Sequence, residues 1–216
     1  MQGNGFLAIW SDVQPHQETD YLHWLTREHT AERVGVPGFL AVRVFRALDT
    51  DARRYFILYE LEQPEVLAGA DYMARLNAPT PWSQRIMPIL GNFVRGGGRR
   101  TGTTGTGQGS IIAPIVIRNQ TPSKTTDTLK AVASLDRIAA VRLLETDNSR
   151  TAIQTNEKQL RQNDSSFETM ILIEGVDENA VRAALERVAN DGIDVVDTLQ
   201  AGLYAQVFSL DKRHLG

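Results

Sequence analysis

One order of predicted elements occurs twice along the chain, once on each side of a glycine-rich segment. Hydrophobic periodicity and turn residues in the first half predict strand, helix, strand, strand, helix and strand over residues 6–10, 18–34, 39–47, 54–61, 64–76 and 90–95. The second half repeats that order over residues 110–118, 122–135, 138–145 and 167–174, a helix capped by Asp177, and residues 199–210. Each half is about as long as one ferredoxin-like module. We therefore predict an α+β fold of two such modules in tandem.

The helices of such a module lie on one face of its four-stranded antiparallel sheet, so the other apolar face has to be covered. The matching sheet of the other half is the simplest cover. Two sheets placed face to face would form a closed or nearly closed barrel with the helices outside. The sequence therefore predicts a pseudo-dimeric α+β barrel within a single chain.

The glycine-rich segment spans residues 96–109, and seven of its fourteen residues are glycine. Few side chains there can be buried and the backbone entropy is high, so the composition predicts a flexible linker or a loop. We expect residues 1–95 to form the first module with the pocket, residues 96–109 the linker, and residues 110–216 the second module. A phosphate-binding loop is the alternative, but the Gly-Lys-Ser/Thr ending of a P-loop is missing and no clear helix follows.

The composition limits the classes of function. The chain of 216 residues has no cysteine, which excludes disulfide scaffolds and Cys-ligated zinc. A net charge of −3 without a basic block makes nucleic acid a poor partner. No apolar run is long enough for a bilayer and no signal peptide is visible, so we expect a cytoplasmic location and no membrane partner. We expect a small-molecule substrate, and a homodimer because exposed strand edges invite pairing.

Aromatic and histidine side chains are concentrated in the first half. All three tryptophans, four of the five tyrosines and three of the four histidines lie before residue 107. Histidine is the usual acid–base residue and large aromatics commonly line pockets, so the pocket is predicted in the first module. A larger core in that half is the alternative explanation.

Residues 21–39 resemble part of a known family. They read Tyr-Leu-His-Trp-Leu-Thr-Arg-Glu-His from Tyr21 to His29, and Val-Pro-Gly-Phe from Val36 to Phe39. This pattern is similar to the dimeric α+β barrel superfamily, and most similar to its EthD-like members. The resemblance covers residues 1–95, and the second half fits by element order. The superfamily includes monooxygenases, isomerases, lyases, haem enzymes and members with no known activity, so the resemblance implies the fold more than the reaction.

The helix predicted over residues 18–34 carries the first candidate site residues. A helical wheel places His29 and Glu32 within the apolar arc, facing the sheet. An inward carboxylate is costly unless it is paired or lines a wet cavity, so the two residues suggest a general acid–base site. The alternative is a structural pair, with Glu32 bound to an arginine such as Arg43 and His29 bonded to a backbone carbonyl.

Arg43 is flanked by aromatic residues on its own face of a predicted strand. Its guanidinium could bind a substrate carboxylate or phosphate with two hydrogen bonds. An ion pair with a helix glutamate is the alternative. Further aromatic side chains are predicted to bind the substrate, although core packing is the alternative for each: Tyr21, Tyr59, Tyr72 and Trp82.

These residues predict a cofactor-independent small-molecule enzyme that transfers a proton on an apolar or aromatic carbonyl substrate. The reaction would be that of an isomerase, a lyase or a cofactor-free oxygenase. His29 would be the acid–base, Glu32 would orient it or share its proton, and Arg43 would anchor an anion. No metal is expected, because the histidine spacing matches no metal motif. The alternatives are a non-catalytic ligand-binding or structural module, and a haem protein that uses His29.

Overall fold

The computed structural model describes residues 1–49, 54–118, 122–196 and 202–215. The strands are β1 (Gly5–Asp12), β2 (Phe39–Ala47), β3 (Tyr55–Leu61), β4 (Gly91–Gly105), β5 (Ile111–Ile117), β6 (Ile138–Thr146), β7 (Thr169–Gly175) and β8 (Tyr204–Asp211). The helices are α1 (Glu18–Trp24), α2 (Thr30–Val34), α3 (Ala70–Asn77), α4 (Pro81–Ile86), α5 (Pro122–Ala133), α6 (Asn148–Thr151), α7 (Asn156–Gln159) and α8 (Glu178–Asn190). In the described ranges, no helix has the length and hydropathy needed to cross a membrane.

The eight strands close into one antiparallel barrel in the order β1-β3-β2-β8-β5-β7-β6-β4. Four neighbouring strands of this order come from each half of the chain. The halves meet where β2 pairs with β8 and where β4 pairs with β6. The predicted pseudo-dimeric α+β barrel is therefore confirmed.

The closed barrel affects the expectation that the protein forms a homodimer. That expectation rested on exposed strand edges, and a closed barrel removes edges. In the described part of the chain every strand has a neighbour on both sides. The closed barrel therefore removes the reason for expecting a homodimer. The homodimer stays a prediction, and native mass spectrometry would test it.

The barrel interior is filled with side chains from both halves. Alternate residues of each strand point inward. Among the inward residues, Trp10 lies 4.7 Å from Phe56 and 5.4 Å from Phe167, centroid to centroid. The remaining volume is filled mostly by aromatic and branched apolar side chains, including Phe6, Phe45, Leu58, Leu144, Met170, Leu172 and Tyr204. This packing leaves the outer faces of the strands, under the helices, as the place for a ligand cavity.

The glycine-rich segment differs from the prediction. Residues 96–105 are not a flexible linker but the second part of β4, while residues 106–109 connect it to β5. Glycine is required there by close approach: a Cβ on Gly98 would lie 2.1 Å from the carbonyl oxygen of Glu145, and one on Gly96 would lie 2.4 Å from the ring of Phe167. Composition favoured a linker because nothing local reveals such contacts. The division into modules at residues 95 and 110 stays a proposal.

The last predicted strand begins later than expected. Its first residues, 199–201, lie outside the described residues, and β8 starts at Tyr204. Only two of its residues pair with β5, while seven register pairs join it to β2. Beside the rest of β5 runs a short segment in which the Val196 amide donates to the Val116 carbonyl.

Candidate active site

A cavity of about 160 Å³ lies between the outer face of the first-half sheet and the helices that cover it. Ile9 and Ser11 of β1 and Ile57 of β3 form its floor, because their side chains alternate with those that fill the barrel. The walls come from the helical segments between the strands, and include Tyr21, Trp24, His29, Leu67, Met73, Leu76 and Met87. Apolar side chains therefore line much of the cavity and polar side chains line the rest, a combination that is common in small-molecule sites.

His29 lies at the end of a π-helical turn, Leu25–His29, that joins α1 to α2. Its side chain is 5% exposed and stacks on the indole of Trp24, with ring centroids 4.1 Å apart. The buried Nδ1 atom has no hydrogen-bond partner within the described ranges. Burial lowers the pKa of His29 well below its usual value, and the nearby Arg33 and Arg161 guanidinium groups lower it further. The ring is therefore neutral at pH 7.

Tyr21 lies one helical turn before Trp24 and contributes a hydroxyl to the cavity. This hydroxyl is 3.3 Å from Ser11 Oγ, and either atom can be the donor. The Tyr21 ring also packs against Tyr55, at 5.0 Å between centroids. Burial raises the pKa of Tyr21 above its ordinary value, so the phenol keeps its proton. Tyr21 therefore lies at the cavity, and its role in binding a substrate stays a prediction.

Trp24 is a site residue that the sequence reasoning missed. Its indole Nε1 donates to Ser83 Oγ of α4 at 3.1 Å, which fixes the ring that supports His29. The two rings are five residues apart in the sequence, a spacing that an ordinary helical wheel does not place together. No signal in the sequence marked the π turn.

Glu32 does not line the cavity. Its carboxylate lies 3.6 Å from Arg33 Nη1 and 3.9 Å from Arg75 Nη1, and 15% of its side chain is exposed. Burial raises the pKa of Glu32. The predicted pairing of His29 with Glu32 assumed a regular helix, and the wider π turn changes the direction of the residues that follow it.

Arg43 points into the barrel rather than into the cavity, so its expected role as an anion anchor at the site is not supported by its position. Its guanidinium donates two hydrogen bonds to Glu174, at 2.7 and 3.2 Å, and its Nε lies 3.9 Å from Glu60. Glu174 also pairs with Arg142. An ion pair was the alternative for Arg43, although its partners lie on strands and not on a helix.

The other three aromatic candidates do not line the cavity. The ring of Tyr59 is perpendicular to Phe39, and its buried hydroxyl has no partner in the described ranges. Tyr72 accepts a hydrogen bond from Arg95 at 3.3 Å, and Arg95 does line the cavity. Trp82 lies near the surface and donates from Nε1 to Asp20 at 3.0 Å.

The second half of the chain supplies one wall of the cavity, which the sequence reasoning had placed in the first half alone. The segment between β6 and β7, residues 147–166, crosses over and brings polar side chains to the cavity, including Asn148, Arg150, Thr155, Glu157, Lys158, Arg161 and Asp164. A buried ion pair between Arg33 of α2 and Glu157 of α7 holds it there. The length of this segment was the signal in the sequence that could have indicated a part of the site, because long connections without a strand are often functional.

A haem does not fit this cavity as the side chains stand. Its volume of about 160 Å³ resembles a cavity that accommodates one benzene ring, far less than a macrocycle of four pyrroles. Among the described residues, no group of three or more His, Cys, Asp or Glu side chains could hold a metal ion.

Comparisons with known proteins address the fold. No protein-family model matches the chain, and no curated protein matches it in sequence. An anthrone oxidase-like protein is 12% identical and covers 98% of this chain and 94% of its own, with a TM-score of 0.57. A candidate chlorite dismutase is 12% identical and covers 99% and 98%, with a TM-score of 0.57. A candidate monooxygenase from Lactobacillus acidophilus is 10% identical and covers 97% of each chain, with a TM-score of 0.51.

The chain has the dimeric α+β barrel fold. In this chain both modules of the barrel belong to one polypeptide, as the strand order shows. At identities of 10 and 12% the likeness extends to the fold alone, and the chemistry has to be argued from the site.

Proposed function

We propose that the protein is a cofactor-independent enzyme that abstracts a proton from a small aromatic carbonyl compound bound between Trp24 and the strands. The observation that carries this proposal is the neutral, buried imidazole of His29 in the wall of a cavity that apolar side chains line in large part. A neutral imidazole has one unprotonated nitrogen, which is able to accept a proton. His29 is therefore the general base, and its conjugate acid returns the proton.

The hydroxyls of Ser11 and Tyr21 complete the proposed chemistry. Removing a proton next to a carbonyl places negative charge on the carbonyl oxygen, and a fixed donor stabilises that charge. Ser11 and Tyr21 share one hydrogen bond, which uses one of their two protons and leaves the other for the substrate. Because burial keeps Tyr21 protonated, the pair remains a donor across the neutral pH range.

The proposal assigns no role to Glu32 or Arg43, because neither lines the cavity. Isomerisation, lyase chemistry and cofactor-free oxygenation can all begin with this proton abstraction, so His29 serves each. The monooxygenase and anthrone oxidase-like neighbours are compatible with the last of these. Closer kinship with EthD-like proteins and a cytoplasmic location stay predictions from the sequence.

Hydrogen–deuterium exchange tests the proposal without knowledge of the natural substrate. Acetophenone is a single-ring ketone whose methyl protons exchange only when a base removes them. We expect the protein to accelerate this exchange in D₂O, followed by NMR, and we expect His29→Gln to reduce the rate to that of buffer. His23→Gln is the matched control, since His23 lies on the same helix and is exposed.

Two results would contradict the proposal. One is an exchange rate with wild-type protein no higher than in buffer. The other is full exchange activity in His29→Gln, with its circular dichroism spectrum unchanged. The first result would leave the cavity as a ligand-binding site without turnover.

A further inference from the structure

We propose that the ligand of this cavity carries an anionic group, a carboxylate or a phosphate, that pairs with Lys158 while its aromatic ring lies beside Trp24. The inference rests on the proposed function, because it concerns the same cavity and adds the chemical class of its ligand. The evidence for the inference is the set of charged side chains in the cavity wall that residues 147–166 form.

The charged side chains that line the cavity are unequal in sign. Two carboxylates, Glu157 and Asp164, face four cations, namely Arg95, Arg150, Lys158 and Arg161. In a cavity lined in large part by apolar side chains, a net positive lining attracts an anion more strongly than it would in open water. The lining therefore favours an anionic ligand over a neutral or cationic one.

The two carboxylates are already bound to arginines. Asp164 accepts from Arg161 at 2.9 Å. Glu157 pairs with Arg33, and its second oxygen lies 3.8 Å from Arg161. Arg161 is also held in place by the ring of Phe93, 4.1 Å from its guanidinium carbon. These groups form a closed set that leaves no carboxylate at the cavity for Lys158.

Lys158 is a lining cation that no carboxylate of the described residues neutralises. It lies on α7, is half-buried, and donates from Nζ to the Ala152 carbonyl at 3.2 Å. Over the described residues it makes no ion pair within 4.0 Å. An ammonium group has three donors, so Lys158 keeps two for a bound anion. Arg150, by contrast, pairs with Asp147 at 2.7 Å and with Glu65 at 3.3 Å.

The size of the cavity sets the size of the ligand. A volume of about 160 Å³ is close to that of an engineered apolar cavity, about 150 Å³, that binds benzene. One aromatic ring fills such a space, and its anionic substituent then has to lie at the polar wall. The inferred ligand is therefore a single-ring aromatic carbonyl compound that carries a carboxylate or a phosphate.

A bound anion would also affect His29. Arg33 and Arg161 lower the pKa of its imidazole, and a negative charge close to them offsets part of that effect. The ligand would thereby make His29 a stronger base when it is bound.

Calorimetric titration with benzoate, phenyl phosphate and benzyl alcohol tests the inference. The three probes share one ring and differ in charge. We expect benzoate or phenyl phosphate to bind more tightly than benzyl alcohol, and the tighter of the two identifies the anion. In Lys158→Gln the anionic probe should bind roughly five- to tenfold more weakly, while benzyl alcohol is unaffected. Lys130→Gln, at an exposed lysine of α5 that does not line the cavity, is the control and should bind like wild type.

Three outcomes would overturn the inference: benzyl alcohol binding as tightly as both anions, Lys158→Gln binding the anions like wild type, or no binding of either anion. None of them depends on turnover. Loss of anion binding with ketone exchange intact would remove this inference and keep the proposed function. Anion binding through Lys158 without ketone exchange would keep the inference and remove the enzymatic proposal.

Discussion

The imidazole of His29 lies over the indole of Trp24, with ring centroids 4.1 Å apart and planes 29° apart. Residues five apart in a regular α-helix point about 140° away from each other, so the stack exists because of the π turn Leu25–His29. π turns occur frequently at functional sites. Here the turn covers one face of a buried base with an aromatic ring that Ser83 holds.

The buried His29 predicts a pH dependence of stability. Its pKa in the folded state lies below the unfolded value of about 6.5, so the unfolded chain binds more protons. This contribution to stability is fully present above about pH 6.5. It is lost as the pH falls from there toward the lowered folded pKa, by up to about 1.4 kcal/mol for each pH unit.

Urea unfolding of wild type and His29→Gln at pH 7.5 and pH 5.0 measures this effect. We expect the advantage of wild type over the variant to shrink at the lower pH. His16→Gln, at an exposed histidine, should follow the wild-type curve. Wild-type and His29→Gln stabilities that fall in parallel would contradict the prediction.

Glu157→Gln is expected to destabilise the protein by about 3 kcal/mol, because it removes the charged group that pairs most closely with the buried Arg33 guanidinium and leaves it only the Glu32 carboxylate, 3.6 Å away. The side chains of Glu157 and Arg33 are both less than one-tenth exposed. Glu65→Gln is the control. Its half-exposed carboxylate lies 3.8 Å from Arg99 and 3.3 Å from Arg150, and its removal should cost no more than about 1 kcal/mol. Chemical denaturation compares the two, and equal losses would argue against a buried pair.

Gly98→Ala should weaken the junction between the halves. The added methyl group would overlap the Glu145 carbonyl oxygen, at 2.1 Å, so β4 and β6 would have to separate at this point. We expect a loss of about 3 kcal/mol, at the upper end of overpacking costs. At Gly91 the nearest atom is 3.7 Å away, and Gly91→Ala should stay within about 0.5 kcal/mol of wild type. Melting temperatures that are the same for both variants would refute this view of the junction.

Tyr21→Phe is expected to slow ketone exchange by at least about tenfold, because it removes one of the two hydroxyls at the cavity. Tyr55→Phe is the matched control. Its ring lies 5.0 Å from that of Tyr21, but its hydroxyl donates to Glu18 and does not line the cavity. Exchange rates measured by NMR should separate the two variants, and equal rates would mean that Tyr21 only fills space.

Local signals were sufficient for most strands and helices of the fold, although not for the second part of β4. The alternation of residues in β2 predicted its bounds, 39–47, as they are in the structure. Asp177 caps α8 as predicted, and its Oδ1 accepts from the Ala180 amide at 3.0 Å. The barrel followed from these elements, because each sheet had one apolar face to cover.

The site was harder to predict because its contacts are remote in the sequence. Arg43 meets Glu174, a partner 131 residues away that no periodicity reveals. Glu157 reaches Arg33 across 124 residues. The π turn lies within one helix, but its backbone hydrogen bonds join residues five apart instead of four. No pattern of side chains predicts this difference. His29 and Tyr21 could be proposed as site residues because their residue types were informative by themselves.

The length of strand β4 determines whether the chain can be divided into two independent halves. Its first part pairs with β1, up to Arg99, and its second part pairs with β6, from Gly98 to Gly105. A fragment that stops at residue 95 would lose the pairing of β1 with residues 96–99 and the pairing of β2 with β8, and such open strand edges promote aggregation. The two halves resemble independent modules in their element order, yet neither carries a complete set of strand partners. Recombination or truncation at the glycine-rich segment would therefore yield two insoluble pieces rather than two small domains.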